Sequence, residues 1–128
     1  MKGNSLNSFE DLECWKACRD SRKYVLEIIK KFPKNEQYAL TDGMRRASRS
    51  ITENIAEGYG RFHFQENIQF CRISRGSIYE LMDQFITALD EKYINNEEYK
   101  LGREMLEKSK NILNGYIRYL QQAKERGK

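Results

Sequence analysis

The fold is decided by residues 64–90, FQENIQFCRISRGSIYELMDQFITALD. At about 100° per residue, the apolar side chains of this stretch fall into two helical stripes rather than one. The first stripe comprises Phe70, Ile73, Ser77, Leu81, Phe85 and Ala88, and the second comprises Phe64, Ile68, Cys71, Ile78, Met82, Ile86 and Leu89. Together the two stripes cover more than half of the surface of the predicted helix.

Two apolar stripes are more than a lone four-helix bundle requires of one helix. A single stripe faces the core of such a bundle, and a second stripe left in water is typical of a protein interface. The pattern therefore favours a homo-oligomer. Its interface candidates are Ile68, Cys71, Ile78, Met82 and Ile86. The alternative is that this helix is simply the most buried element of a monomer.

Three further helices are predicted at about residues 9–31, 41–58 and 96–124, from apolar periodicity and helix-end signals. The start signals are Ser8 with Asp11, then Thr41 or Asp42, then Asn95 or Asn96, and the end signals of the second helix are Gly58 and Gly60. Four helices joined by short turns pack most simply as antiparallel neighbours. The sequence thus predicts an all-α, up-down-up-down four-helix bundle that occupies residues 1–128 as one domain.

Composition and charge limit the possible functions. The chain has 23 Lys and Arg against 19 Asp and Glu, a net charge of +4, and the excess lies in residues 1–34 and 93–128. This distribution permits an acidic partner such as nucleic acid, but it is equally consistent with solvated helix faces. No stretch approaches the ~20 apolar residues of a membrane span and the first residues lack a signal-like apolar core, so we expect a cytoplasmic protein. Cys14, Cys18 and Cys71 have no zinc or redox spacing, which indicates reduced thiols.

A group of arginines marks the second predicted helix. Arg45, Arg46 and Arg49 lie on its outer face, and Arg61 follows the helix. Each guanidinium can bond two phosphate oxygens, so these four residues are candidate nucleic-acid contacts. The same row also suits ion pairs, because Glu53 follows Arg49 by four residues.

The end of that helix contains an unfavourable charge. Glu57 lies in the last helical turn, where a carboxylate meets the negative end of the helix dipole. We expect backbone N–H groups after Gly60 to compensate it, with Arg61 as the alternative. Asn54, Glu57, Gly58 and Gly60 are therefore interpreted as a structural turn network.

Catalytic groupings are missing from the sequence. The only histidine, His63, falls in a turn beside aromatic residues, so no triad has an obvious base, and the Glu-x-x-His pairs of a di-iron bundle are missing. Cys14 and Cys18 share a helix face, but two ligands do not make a metal site. The sequence predicts no enzyme, no cofactor and no metal.

Many of these residues occur in a familiar order. The series is Trp15, Phe32-Pro33, Glu36, Leu40, Arg45-Arg46-Ala47, Ser50-Ile51, Asn54-Ile55-Ala56-Glu57-Gly58, Gly60-Arg61, Gly76-Ser77 and Glu80-Leu81. It resembles the bacterial four-helix bundle proteins encoded in 23S rRNA intervening sequences, over nearly the whole chain. The same family includes the accessory variability protein of diversity-generating retroelements.

The resemblance implies a ring-like homopentamer with a basic surface that contacts RNA or DNA, and it implies no enzymatic activity. The sequence departs from the family pattern at Gly43, where glutamine is expected, and at Arg22, where a small residue is usual. Two functions follow from the residues and the resemblance together. The first is a nucleic-acid-binding homo-oligomer, and the second is a scaffold that docks a protein partner such as a reverse transcriptase.

Overall fold

The computed structural model describes residues 8–127 of the chain. Four α-helices form most of this range: α1 (Glu13–Ile28), α2 (Leu40–Gly60), α3 (Phe64–Asp90) and α4 (Asn96–Arg126). Single 3₁₀ turns occupy Phe9–Asp11, Ile29–Lys31 and Lys34–Glu36. Within residues 8–127 there is no strand, and the predicted all-α four-helix bundle is confirmed. Residues 1–7 and 128, which the predicted domain includes, lie outside the described residues.

Hydrogen bonds between α1 and α4 show that these helices run in opposite directions. The Oγ atoms of Ser21 and Ser109 are 2.8 Å apart. Three residues further along α1, the hydroxyl of Tyr24 donates to the carbonyl of Glu98, which is eleven residues earlier in α4. Later residues of α1 therefore lie beside earlier residues of α4, so the two helices are antiparallel.

The remaining helices alternate in the same way. Asn67, near the start of α3, packs against Gly58 near the end of α2 and donates from Nδ2 to the hydroxyl of Tyr116, near the end of α4. At the other end of the bundle, Gly102 near the start of α4 packs on the ring of Phe85 near the end of α3. Neighbouring helices are therefore antiparallel throughout.

Both apolar stripes of α3 contribute to the core, because α3 packs against α2 on one side and α4 on the other. The predicted interface residues Ile68, Cys71, Ile78 and Met82 are at most 4% exposed in the single chain. Their assignment to an oligomer interface is wrong, since neighbouring helices of the same chain already cover them. Ile86, by contrast, is 40% exposed.

Two of the predicted helix starts are capped as expected. Asn95 Oδ1 accepts from the N–H of Glu98 at 2.8 Å, and Glu98 Oε1 accepts from the N–H of Asn95 at 2.9 Å, which completes a capping box at α4. Ser8 Oγ accepts from the N–H of Glu10 at 3.1 Å. This second cap begins the 3₁₀ turn Phe9–Asp11, and α1 itself begins only at Glu13.

The start of α2 differs from its prediction. The helix begins at Leu40, whose N–H donates to the carboxylate of Glu36 at 3.3 Å. Thr41 and Asp42, the predicted caps, lie inside the first turn, so that prediction is wrong. A side chain from the preceding 3₁₀ turn takes the capping role instead.

The end of α2 also differs. The helix continues through Gly58 to Gly60, so Gly58 does not end it. A Cβ at Gly58 would lie 2.7 Å from Asn67 Oδ1 and 3.0 Å from the Cβ of Phe70. Glycine at this position therefore permits close packing of α2 on α3. The left-handed residue of the following turn is Phe62, with φ 57°.

The cysteines behave as small core residues. Cys14, Cys18 and Cys71 are buried and none of them is in a disulfide. None of the helices within residues 8–127 is both long enough and apolar enough to cross a membrane.

Candidate nucleic-acid interface

Arg45, Arg46 and Arg49 lie together on the outer side of α2. The buried side chains of this part of the helix are Met44, Ala47, Ser48, Ile51 and Ile55. Because these recur at intervals of three and four residues, the arginines between them are directed away from the core. Arg46 and Arg49 are exposed and Arg45 is half-buried. The three predicted residues therefore form one cationic surface.

A single carboxylate partly neutralises two of these arginines. Asp42 Oδ1 lies 3.9 Å from Arg45 Nη1, and Asp42 Oδ2 lies 3.3 Å from Arg46 Nε. Exposed ion pairs of this kind contribute at most about 1 kcal/mol. A phosphate can therefore replace Asp42 as the partner of either guanidinium at little cost.

Arg49 has no such partner in the described part of the chain. The ion pair with Glu53 that the spacing permits does not form, and no other carboxylate oxygen of residues 8–127 lies within 4 Å of this guanidinium. Among residues 8–127, no carboxylate therefore has to be displaced before Arg49 can bind a ligand. Arg49 is the least committed of the predicted contacts.

Arg22 of α1 joins the same surface. Its Nη1 donates to Thr52 Oγ1 at 2.9 Å, and Thr52 Oγ1 donates to the backbone carbonyl of Arg49 at 3.2 Å. The bond therefore holds the Arg22 guanidinium one turn from Arg49, on the α1 side of α2. We call Arg22, Arg45, Arg46 and Arg49 the arginine row.

The sequence did not identify Arg22 as a site residue, because its place depends on how α1 packs against α2. Gly43, the other departure from the family pattern, lies elsewhere. It is buried, and a Cβ there would lie 3.0 Å from Nε2 of Gln84 on α3. Gly43 therefore affects the contact between α2 and α3 and not the arginine row.

Arg61 is separated from the row. Its Nε and Nη2 both lie 3.0 Å from Glu57 Oε2, and its guanidinium stacks 5.0 Å from the ring centroid of Phe70. Arg61 follows Arg49 by twelve residues, which corresponds to about 18 Å of helix. Arg61 is thus committed to compensating Glu57, which confirms the alternative explanation for that carboxylate. The expected bonds from backbone N–H groups after Gly60 do not form within residues 8–127.

The predicted turn network also divides into separate parts. Asn54 Nδ2 donates to both the carbonyl and the Oγ of Ser50 at 2.9 Å, and Ser50 Oγ lies 2.8 Å from Ser77 Oγ. Asn54 therefore supports the contact between α2 and α3 and does not reach Glu57. Gly60 has open space around its Cα, so packing does not require glycine there.

The potential nucleophiles are poorly placed for chemistry. Burial raises the pKa of the Cys18 and Cys71 thiols to about 12 and raises the pKa of Cys14 as well. These thiols are protonated and inaccessible at neutral pH. His63 is exposed just before α3. No cluster of three or more His, Cys, Asp or Glu side chains in residues 8–127 is arranged to hold a metal ion.

Comparison with known protein families shows a match over most of the chain. The model of the 23S rRNA-intervening sequence protein family matches residues 10–115. The matched region extends from the first 3₁₀ turn into α4 and contains the whole arginine row. No curated protein matches the chain.

Proposed function

We propose that this chain, which belongs to the 23S rRNA-intervening sequence protein family, is a cytoplasmic, non-enzymatic homo-oligomer that binds the phosphate backbone of RNA or DNA. The observation that supports binding is the arginine row. Four guanidinium groups from α1 and α2 share one surface, and within the described chain Asp42 is the one carboxylate within 4 Å of any of them.

The chemistry of the row suits phosphate more than base edges. The arginines lie on the outer side of the helices, away from the core, so they can contact a backbone from outside. Guanidinium groups bond phosphate oxygens in pairs, and such contacts position a protein on nucleic acid without specifying a sequence. The proposed binding is therefore electrostatic and weakly dependent on sequence.

Assembly would multiply this weak charge. One chain carries +4, so a homopentamer of the kind that the resemblance implies would carry about five times as much. Tyr79 and Ile86 support self-association, because they are 53% and 40% exposed and lie seven residues apart on one side of α3. They replace the four buried residues as interface candidates, and Ile86 is retained from the sequence prediction.

The binding surface is tested with two variants that change the same amount of charge. Arg45→Gln/Arg46→Gln/Arg49→Gln removes the row on α2, and Lys100→Gln/Lys108→Gln/Arg118→Gln removes three exposed cations from α4. Fluorescence anisotropy at low salt, with a structured RNA and a duplex DNA, should show a loss of at least tenfold in affinity for the first variant and a smaller loss for the second. Equal losses would mean that only total charge matters. No binding by the unmodified protein to either nucleic acid would refute the proposal.

Light scattering tests the assembly. For a homo-oligomer we expect a measured mass several times the 15.3 kDa of one chain. Ile86→Asp should lower that mass without loss of helicity. A monomer would instead leave Tyr79 and Ile86 as an exposed apolar pair available to another protein. That result would favour the second candidate function, a scaffold that docks a protein such as a reverse transcriptase.

A further inference from the structure

An aromatic cleft opens at the end of the bundle where α2 ends and α3 begins. The rings of Tyr59, Phe62, Phe64, Tyr116 and Tyr119 line it, and its volume is about 310 Å³. No carboxylate contributes to its lining. A pocket of this size lies at the small end of the range for compact ligands. We call it the aromatic cleft.

Several of these rings are unusually exposed. Phe62 is 85% exposed, Tyr119 54% and Phe64 45%. Phe62 also has φ 57°, a left-handed conformation that is uncommon for a bulky residue. The chain thus holds an apolar ring in water in an unfavourable backbone conformation, which is typical of a residue that contacts a ligand.

The deeper wall of the cleft has a fixed polar group. Asn67 is buried, and its Nδ2 donates to the hydroxyl of Tyr116 at 3.1 Å. Burial raises the pKa of Tyr116 to about 12, so its hydroxyl keeps a proton. That proton is free to donate to an acceptor in the cleft, since the bond from Asn67 uses only the oxygen.

The aromatic cleft lies along the same side of α2 as the arginine row. Positions 45, 49, 52, 56 and 59 recur at intervals of four and three, so they follow one face of α2. This face carries Arg45 and Arg49 at one end and Tyr59, a wall of the cleft, at the other. Tyr59 follows Arg49 by ten residues, which is about 15 Å of helix and roughly the rise of four stacked nucleotides.

We propose that the aromatic cleft binds an unpaired nucleobase of a nucleic acid whose backbone lies on the arginine row. This inference rests on the proposed function and adds a preference for single-stranded or looped segments. A small cleft lined by aromatic rings suits a heterocycle, and every base can stack on such rings. The Tyr116 hydroxyl supplies a donor for a ring nitrogen or carbonyl of the base.

A peptide ligand fits these observations less well. An apolar helix would need a groove long enough for side chains at i, i+3, i+4 and i+7, whereas the cleft is compact. The arginine row, further back along α2, favours a polyanion. Binding of a base therefore accounts for the rings and the surrounding charge together.

The test uses RNA and DNA hairpins with 2-aminopurine in an unpaired loop, compared with blunt duplexes of the same stem. For the unmodified protein we expect tighter binding of the hairpins and quenching of 2-aminopurine on stacking. Phe62→Ala and Tyr119→Ala should each weaken hairpin binding by roughly tenfold and abolish the quenching. Tyr119→Phe should retain both properties, because the ring remains.

Tyr38→Ala is the matched control. Tyr38 is 89% exposed and lies just before α2, at the other end of the bundle from the cleft. Circular dichroism will show whether each variant is folded, and Phe62 and Tyr119 are exposed enough that their removal should not disturb the core. The dependence of affinity on salt should be unchanged in the ring variants, because no phosphate contact is lost.

Two failures are distinguishable. If duplexes bind through the arginine row but Phe62→Ala and Tyr119→Ala bind hairpins within twofold of the unmodified protein, the inference is overturned and the proposed function stands. If neither hairpins nor duplexes bind at low salt, the proposed function itself fails. A loss for Tyr38→Ala as large as that for Phe62→Ala would also overturn the inference.

Discussion

Replacing Ile78 by alanine should destabilise each chain strongly, whereas the same replacement at Ile86 should not. Both residues lie in the apolar stripe of α3 that the sequence assigned to an interface. Ile78 is 0% exposed and Ile86 is 40% exposed. Ile78→Ala removes three buried carbons, which corresponds to about 2.5 kcal/mol of transfer free energy at about 0.8 kcal/mol per carbon. The cavity left in the core adds to this loss, so we expect about 3–4 kcal/mol.

The expected loss of unfolding free energy is smaller for Ile86→Ala. Its side chain is partly in water already and leaves no enclosed cavity, so we expect a loss of about 1 kcal/mol or less within the chain. A domain of this size has a total stability of about 5–15 kcal/mol. The difference between the two variants is therefore large compared with the total and easy to resolve.

The assay is urea unfolding followed by circular dichroism, with light scattering on the same samples. Unfolding is measured at several protein concentrations, because the apparent stability of an oligomer depends on concentration. Ile78→Ala should lower the unfolding midpoint at every concentration, and Ile86→Ala should act mainly through assembly. If Ile78→Ala lost less than about 1 kcal/mol while dissociating an oligomer, Ile78 would be an interface residue and the account of α3 would be wrong.

Three further predictions concern α3, α4 and the thiols. Gly102→Ala should destabilise the chain by about 1–2 kcal/mol net, because its Cβ would lie 2.5 Å from the ring of Phe85. The control Gly76→Ala has open space around it and should be neutral or stabilising in thermal unfolding. An equal effect at both sites would contradict this explanation. The hydrogen bond from Lys31 holds the pKa of Glu98 below its ordinary value. The Glu98 carboxylate therefore stabilises the fold fully above the ordinary pKa, and this stabilisation is lost as pH falls through the lowered pKa. Urea titrations should show that the stability of Glu98→Gln depends less on acid pH than that of the unmodified protein, and parallel pH profiles of the two proteins would contradict this prediction. The thiols of Cys14, Cys18 and Cys71 should react with a thiol reagent only at the rate of unfolding, and immediate labelling of the native protein would show that they are accessible.

Local patterns predicted the helices well, for physical reasons that lie within each segment. Apolar periodicity and a cap at Asn95 or Asn96 are properties of one stretch of chain, and the structure confirms α4 with Asn95 as its cap. The start of α2 was missed because Glu36, from the preceding turn, takes the place of a cap in the helix itself.

The site was predicted only in part, because its geometry depends on contacts between helices. The spacing of Arg45, Arg46 and Arg49 placed them on one face, but no local signal showed that Arg22 bonds to Thr52. The two stripes of α3 indicated burial correctly and could not show which partner covers them. The aromatic cleft joins residues from 59–64 to residues from 116–120, and only the folded bundle brings these segments together.

The dependence of affinity on salt tests the central claim most directly. Each guanidinium that contacts a duplex phosphate adds about 0.9 to the slope of log affinity against log salt concentration. If the arginine row binds the backbone, Arg45→Gln/Arg46→Gln/Arg49→Gln should lower the magnitude of that slope on duplex DNA by about 2.7 for each chain engaged, and the α4 triple variant should not. A slope unchanged by loss of the three arginines would contradict the account.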